Sequence, residues 1–208
     1  KASMWKAPHM KKIMFTTMLI FSSAEPMAEA FGAEWGWSYP QLKNAGAECQ
    51  PIEYDNFDAY RCANMQKSFS NVDFFNAVFD KVNGLQKIRM VGEDITGDPY
   101  GTAGKKRYMA YKNAISKKYG PASDDLTLET VGMTLYKDSD EFYECLKYSG
   151  CGYYTTLWQV DTGGTITAEI KGTSRGTGWV QLQYEGPEWS SSVDRIRAAE
   201  AESDLDAL

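Results

Sequence analysis

Three runs near the C-terminus are typical of β-strands: Tyr153-Tyr-Thr-Thr-Leu-Trp-Gln-Val160, Thr165-Ile-Thr-Ala-Glu-Ile-Lys171 and Gly178-Trp-Val-Gln-Leu-Gln-Tyr-Glu185. They are rich in β-branched and aromatic residues, and glycine clusters separate them, which predicts a β-meander. A sheet with one apolar face is not stable alone. The rest of the chain must therefore cover it.

Two cysteines, Cys145 and Cys151, come just before the meander. Asp138 and Glu141 form a capping-box pattern that predicts a short helix over 139–147. A disulfide between the two cysteines would join this helix to the first meander strand. Two reduced, packed thiols remain the alternative, whereas the spacing and the lack of a nearby histidine disfavour zinc.

The segment after the meander, 190–208, predicts a final helix that begins at a serine cap and ends in acidic residues. Within the last meander strand, Trp179 lies on the opposite face from Val180 and Leu182. Trp179 is therefore either an outward contact residue or packed under the final helix, and packing is the favoured interpretation.

The upstream pair Cys49 and Cys62 brackets a predicted hairpin turning at Asp55-Asn56. With that turn, residues whose numbers sum to 111 face each other, and the two cysteines occupy a non-hydrogen-bonded pair. Cα atoms at such a pair are about 4.5 Å apart, which a disulfide accepts. The sequence therefore predicts a disulfide here.

A second hairpin is predicted over 73–93, with Asn83-Gly84 as a type I′ turn. In that register Phe79 faces Ile88, and Asp80 faces Lys87 across the strands. A helix is predicted over 103–119 from the spacing of its core-facing residues, which are Tyr108, Tyr111, Ile115 and Tyr119. A further strand is predicted over 126–136. The predicted fold class is α+β: antiparallel hairpins and a C-terminal meander packed against the 103–119 helix, with two local disulfides.

The N-terminal region predicts a secretory leader over 10–30, because a basic start precedes a short apolar run and an Ala28-Glu29-Ala30 cleavage site. Residues 1–9 are interpreted as an upstream segment, and 31–189 as one domain. The formal charge of −6 becomes −8 when the six charged residues of 1–30, four Lys and two Glu, are removed. This charge disfavours nucleic acid or anionic lipid as the main partner, and no stable membrane insertion is expected after cleavage.

Three motifs carry a resemblance: Phe31-Gly-x-x-Trp35-Gly-x-Ser38, the helix end Lys118-Tyr-Gly-Pro121, and the aromatic and aliphatic pattern of the meander. In these the chain resembles small secreted or periplasmic bacterial proteins of uncharacterised function. The resemblance implies an extracytoplasmic location and an α+β architecture, and it supplies no active site.

The chemistry available to the mature chain is limited, because the single histidine, His9, lies upstream of the predicted cleavage point. Histidine-dependent nucleophilic catalysis and most catalytic zinc sites are therefore excluded, and no cofactor or metal is expected. The motif 172–176 matches G-x-S-x-G, but it lies between two strands and is interpreted as a turn.

Two weaker site patterns remain. A glycine-rich loop at a helix start suggests an anion site formed by Gly101, Thr102, Gly104, Lys105 and Lys106, although a solvated basic helix end is the favoured interpretation. Carboxylates cluster at Asp138, Asp140, Glu141 and Glu144, and again at Glu185 and Glu188. A glycan hydrolase would need two of them facing each other.

The leading hypothesis is a non-catalytic, periplasmic or secreted protein that binds a protein or an envelope component. The expected contact residues are Trp35, Trp37, Trp179 and Trp189. The alternatives are a carboxylate-dependent hydrolase acting on glycans and a carrier of a small anionic ligand.

Overall fold

The structure is a computed structural model and describes residues 29–161 and 163–206. The predicted segment 1–9 and all of the predicted leader except Glu29 and Ala30 lie outside the described residues. The strands are β1 (Glu29–Ala30), β2 (Ala33–Glu34), β3 (Cys49–Ile52), β4 (Asp58–Cys62), β5 (Val72–Asp80), β6 (Gly84–Gly92), β7 (Thr127–Thr130), β8 (Tyr153–Val160), β9 (Gly164–Ser174) and β10 (Thr177–Glu185). The helices are α1 (Tyr39–Asn44), α2 (Thr102–Tyr119), α3 (Phe142–Lys147) and α4 (Trp189–Asp206).

One antiparallel sheet joins both predicted hairpins and the meander, in the order β3-β4-β5-β6-β10-β9-β8-β7. Strand β6 pairs with β10, so the N-terminal and C-terminal halves share a single ladder. The predicted α+β class is confirmed. Because the two outermost strands are β3 and β7, these two form the edges of the sheet.

The core lies on one face of this sheet. Strand β10 alternates along its length, with Val180 and Leu182 fully buried between half-buried neighbours. Helix α2 covers that face with Tyr108, Tyr111 and Ile115, as the sequence predicts. The alternate residues of β10, which are largely polar, lie on the opposite face of the sheet.

Both predicted disulfides are present. Cys49 faces Cys62 in the predicted register, and their sulfur atoms are bonded. Cys145 and Cys151 are also joined, which connects α3 to the start of β8. The free-thiol alternative for Cys145 and Cys151 is therefore wrong.

The register of the second hairpin differs from the prediction. Ala77 faces Ile88, so the pairing is shifted by two residues, and a bulge follows Val78. The turn is longer because the Asp80 carboxylate accepts hydrogen bonds from the amides of Val82 and Asn83, at 3.0 and 2.7 Å. The predicted Asp80–Lys87 pair is therefore wrong. The shift of two residues keeps the side chains from Phe74 to Val78 on their predicted faces, whereas beyond the bulge Leu85 faces Phe79 and joins the core.

Two predicted elements are shorter in the structure. The strand predicted over 126–136 ends at Thr130, and Gly132 then adopts a left-handed conformation with φ +73°. The helix predicted to start at Ser139 begins at Phe142. The capping contact itself is present, since the Glu141 carboxylate accepts from the Asp138 amide at 3.2 Å. None of the helices in residues 29–161 and 163–206 combines the length and apolarity needed to cross a bilayer.

Candidate functional site

An exposed group of large apolar and aromatic side chains lies at the β7 edge of the sheet. Its members are each between 37% and 57% exposed, and we call them the apolar strip: Leu128, Val131, Met133, Leu135, Tyr148 and Tyr153. Contiguous exposed apolar surface is uncommon on a protein without a partner. The strip is therefore the first candidate binding surface.

The backbone holds the strip in one place. Thr130 faces Tyr153 across the β7–β8 ladder, and the Met133 amide donates to the Cys151 carbonyl at 2.8 Å. The amide of Gly132 contacts the sulfur of Cys145 at 3.1 Å. The second disulfide thus lies directly beneath the strip and fixes the two chain segments that form it.

Strand β7 also leaves one side of its backbone without a strand neighbour in the described residues. An edge strand with free backbone groups can pair with an extended segment of another chain. The apolar strip therefore adjoins a strand that can donate and accept backbone hydrogen bonds.

The polar face of the sheet is the second candidate surface. We define the open face as the side of the sheet that carries Trp179, Gln181 and Gln183, opposite α2. Helix α4 covers only one end of it, where the Trp189 ring lies 4.5 Å from the Lys87 ammonium nitrogen. Trp179 lies at the other end of β10 and donates to Gln181 on the same face at 3.4 Å. The favoured interpretation, that Trp179 packs under the final helix, does not match this placement.

Trp179 is half-buried, and none of the other tryptophans expected to contact a partner lies in a more exposed class. Trp35 is only 5% exposed and belongs to the core. Trp37 is half-buried, and Trp189 is half-buried and stacked on Phe57 with ring centroids 4.9 Å apart. These three side chains pack against the protein itself, and the structure does not bring them together with Trp179.

The predicted anion loop is filled by a side chain of the protein. The Asp98 carboxylate accepts hydrogen bonds from the amides of Thr102, Ala103 and Gly104 at 2.8 to 3.1 Å, and from the Tyr143 hydroxyl at 3.0 Å. Burial, and then this bond to Asp98, raise the pKa of Tyr143. An external anion at the start of α2 would have to displace Asp98.

The other residues of the predicted anion loop do not converge on one binding site. Gly101 has φ +71° and packs against Phe142, and Lys105 lies over the same ring at 4.3 Å. Lys106 is exposed.

The two carboxylate clusters lie at opposite ends of β10. Asp140 pairs with Arg175 at the β9–β10 turn, whereas Glu185 ends β10 and pairs with Lys87 at 3.2 Å. The nine residues of β10 separate the ends by about 30 Å, far beyond the spacing of a glycosidase pair. In the described residues, the carboxyl groups with shifted pKa values are those of Glu29, Asp80 and Asp140. All three values are lowered: for Asp80 burial raises the pKa, but hydrogen bonds from Arg195 and two backbone amides outweigh it, and for Glu29 and Asp140 the bonds from Lys67 and Arg175 dominate. A general acid requires a raised value.

The G-x-S-x-G match was predicted to be a turn, and only its last two residues, Arg175 and Gly176, form one, since Gly172 to Ser174 belong to β9. Ser174 ends β9 and is exposed, and Gly176 has φ +72°. Gly172 lies against the backbone carbonyl of Tyr143, which explains its missing side chain. Within residues 29–161 and 163–206, no cluster of metal-ligating side chains is formed.

Comparison of the chain with protein-family models, with curated proteins and with solved structures finds no match. The candidate surfaces must therefore be interpreted from their own geometry.

Sequence reasoning did not identify the apolar strip. The available signal was the alternation of Val131, Met133 and Leu135 on either side of Gly132, in a segment predicted as one continuous strand. Because the strand ends at Thr130, these side chains do not join the core.

Proposed function

We propose that this chain is a non-catalytic, extracytoplasmic binding protein that recognises another protein through the apolar strip. The observation that carries the proposal is the exposed strip beside the free edge of β7. Protein interfaces concentrate aromatic and aliphatic anchors, Met included, at their centre. The two disulfides support an oxidising compartment.

A partner segment could use both features of this surface. Its backbone would extend the sheet at β7, while its apolar side chains would cover the strip. Main-chain pairing gives affinity in such complexes, and side-chain contacts give specificity. The disulfide beneath the strip reduces the entropic cost of binding, because the surface is already ordered.

The test is capture of the partner from the native envelope after mild crosslinking, with mass spectrometry as the readout. Wild-type protein is compared with Met133→Lys combined with Leu135→Lys. The matched control is Val82→Lys, since Val82 is 73% exposed but lies on the β5–β6 turn, away from the strip.

A protein recovered with wild type and with Val82→Lys, but lost with the strip variant, supports the proposal. Equal recovery with all three baits, or no partner with any of them, contradicts it. Folding of the variants is not at risk, because the substituted side chains are exposed.

A further inference from the structure

Two arginines on the open face lack an acidic partner. Arg61 of β4 and Arg89 of β6 both flank Asn76 of β5 in one row of the ladder. The strands also place three carboxylates on this side of the sheet, and each is held by a different cation: Asp80 by Arg195, Glu169 by Lys171 and Glu185 by Lys87. In the described residues, neither Arg61 nor Arg89 takes part in an ion pair.

The hydrogen bonds of the two arginines are incomplete. Arg61 Nε reaches Asn76 at the long distance of 3.5 Å, and its guanidinium lies 4.2 Å from the centre of the Phe74 ring. Arg89 Nη2 donates to Gln183 at 3.3 Å. Arg89 Nε is buried and has no hydrogen-bond partner in the part of the chain that the structure describes. Buried unpaired donors are rare in native proteins and call for an explanation.

We infer that this row of the open face binds a carboxylated glycan. A guanidinium is a planar fork of donors that matches a carboxylate with two parallel hydrogen bonds. Two strand spacings separate Arg61 from Arg89, about 10 Å. A glycan that carries acidic groups at intervals could therefore engage both.

The surroundings of the arginines fit a sugar chain. Along the same row lies Gln183, and then Thr167 on β9. Amides and hydroxyls such as these both donate and accept, which suits sugar hydroxyl groups. Trp179 and Phe74 lie on the same face and offer aromatic surface for the apolar side of a sugar ring.

An acidic polypeptide fits this surface less well. Strands β5, β6 and β10 have neighbours on both sides, so their backbone groups are already paired and only side chains are offered. The centre of the face, around Gln183 and Arg89, is polar, whereas the centre of a protein interface is depleted in charge. The inference concerns the β4–β6–β10 part of the open face, whereas the apolar strip lies at the β7 edge, and it does not depend on the strip.

The net charge of the chain bears on how much each arginine should contribute to glycan binding. At −6 the chain repels polyanions at long range. Affinity for an acidic glycan must therefore come from a few close contacts. Removing one arginine should then have a large effect, and added salt should weaken binding.

The experiment is titration of the full, disulfide-bonded chain with three probes. They are polygalacturonate oligosaccharides, their methyl esters, and poly-L-glutamate of similar length. We expect the oligosaccharides to bind. The ester should bind at least about 10-fold more weakly, since it loses the charge-assisted pairs, each of which contributes about a factor of 10. The polypeptide should also bind more weakly, because it keeps the carboxylates but lacks the hydroxyl groups and ring faces that Gln183, Thr167 and Trp179 would contact.

The variants Arg61→Gln and Arg89→Gln should each weaken binding of the oligosaccharides about 10-fold. Arg197→Gln is the matched control, since Arg197 is exposed on α4, away from the row. Arg61 is exposed, so its variant tests the inference even if Arg89→Gln does not fold.

Several results would overturn the inference: no binding of the acid oligosaccharides, equal binding of the methyl ester, or an equal loss with Arg197→Gln. Equal or tighter binding of poly-L-glutamate would assign the row to acidic polypeptides instead.

Discussion

Gly172 shows at the scale of one residue how a motif can mislead. It matches the first glycine of a nucleophile motif, yet its role is to let the Tyr143 backbone of α3 lie directly against β9. A methyl group at Gly172 would collide with that carbonyl, and a backbone atom cannot move aside as a flexible side chain can.

The first prediction compares substitutions at Gly172 and Ser174 of the G-x-S-x-G motif. Gly172→Ala should lower the free energy of unfolding by roughly 2–4 kcal/mol, because it separates α3 from the sheet. Ser174→Ala should change it by less than about 0.5 kcal/mol, since Ser174 is exposed. Urea unfolding followed by circular dichroism measures both, and a destabilised Ser174→Ala variant would contradict this account.

Asp80 links the β5–β6 turn to α4. Burial alone would raise the pKa of Asp80, but hydrogen bonds from Arg195 and from the amides of Asn83 and Val82 lower it overall. A carboxyl group with a lowered folded-state pKa stabilises the fold above its unfolded pKa of about 3.9. That contribution is lost as the pH falls through the folded-state value.

The second prediction follows from the lowered pKa of Asp80. Asp80→Asn should destabilise the protein by roughly 1–3 kcal/mol at pH 7. The difference from wild type should shrink when urea unfolding is repeated below about pH 3.9, because the unfolded chain then binds a proton at Asp80 that the folded state resists. Asp73→Asn, at an exposed position of the same strand, serves as control. A difference that stays constant with pH would show that the Asp80 charge does not matter.

At the scale of elements, β1 lies at the predicted processing point. Ala30 is buried and faces Ala33, and Glu29 pairs with Lys67 at 2.6 Å. The Tyr119 hydroxyl donates to the Glu29 carbonyl at 3.2 Å. Cleavage after Ala30 would remove all of these contacts.

The third prediction compares a chain that begins at Phe31 with one that begins at Glu25. The shorter chain should be less stable by about 1–3 kcal/mol, because it loses the ion pair, the hydrogen bond and the strand pairing. The urea concentrations at the midpoints of unfolding measure this difference in stability, provided that the two chains unfold with equal slopes. Equal midpoints would mean that β1 adds nothing and that cleavage after Ala30 carries no energetic cost.

The elements that sequence predicted best are local ones. The meander and the Cys49–Cys62 register depend on residues close together in the chain, so turn chemistry and side-chain alternation were sufficient. The β5–β6 register was missed because the Asp80 side chain, rather than Asn83-Gly84 alone, sets the turn.

The candidate surfaces could not be predicted in the same way. The row from Arg61 to Gln183 exists because β6 pairs with β10, two strands far apart in sequence. No local pattern encodes that pairing. The apolar strip depends on β7 ending at Thr130, just before the left-handed backbone of Gly132.

At the scale of the whole molecule, the two disulfides lie at opposite edges of the sheet. Cys49–Cys62 joins β3 to β4, and Cys145–Cys151 lies beneath the β7 edge. Each closes a short loop and constrains the unfolded chain.

The fourth prediction is that Cys49→Ser with Cys62→Ser lowers the free energy of unfolding by about 3 kcal/mol, as expected for a loop of this length. Loss of the second disulfide should also loosen the apolar strip, seen as faster amide hydrogen exchange at Met133.

Protein isolated from its own cell should show no free thiol after denaturation and alkylation. Four alkylated cysteines would contradict the oxidising location.

The two edge strands of the sheet differ in their ability to pair with another copy of the chain, and this difference limits self-assembly. Strand β3 has four residues and includes Pro51, which has no N–H to donate, whereas β7 has no strand beside its outer edge among the residues that the structure describes. Continuous stacking of copies into a fibre needs two receptive sides on every molecule. With one side blocked, two copies joined through β7 form a closed pair, and growth stops there.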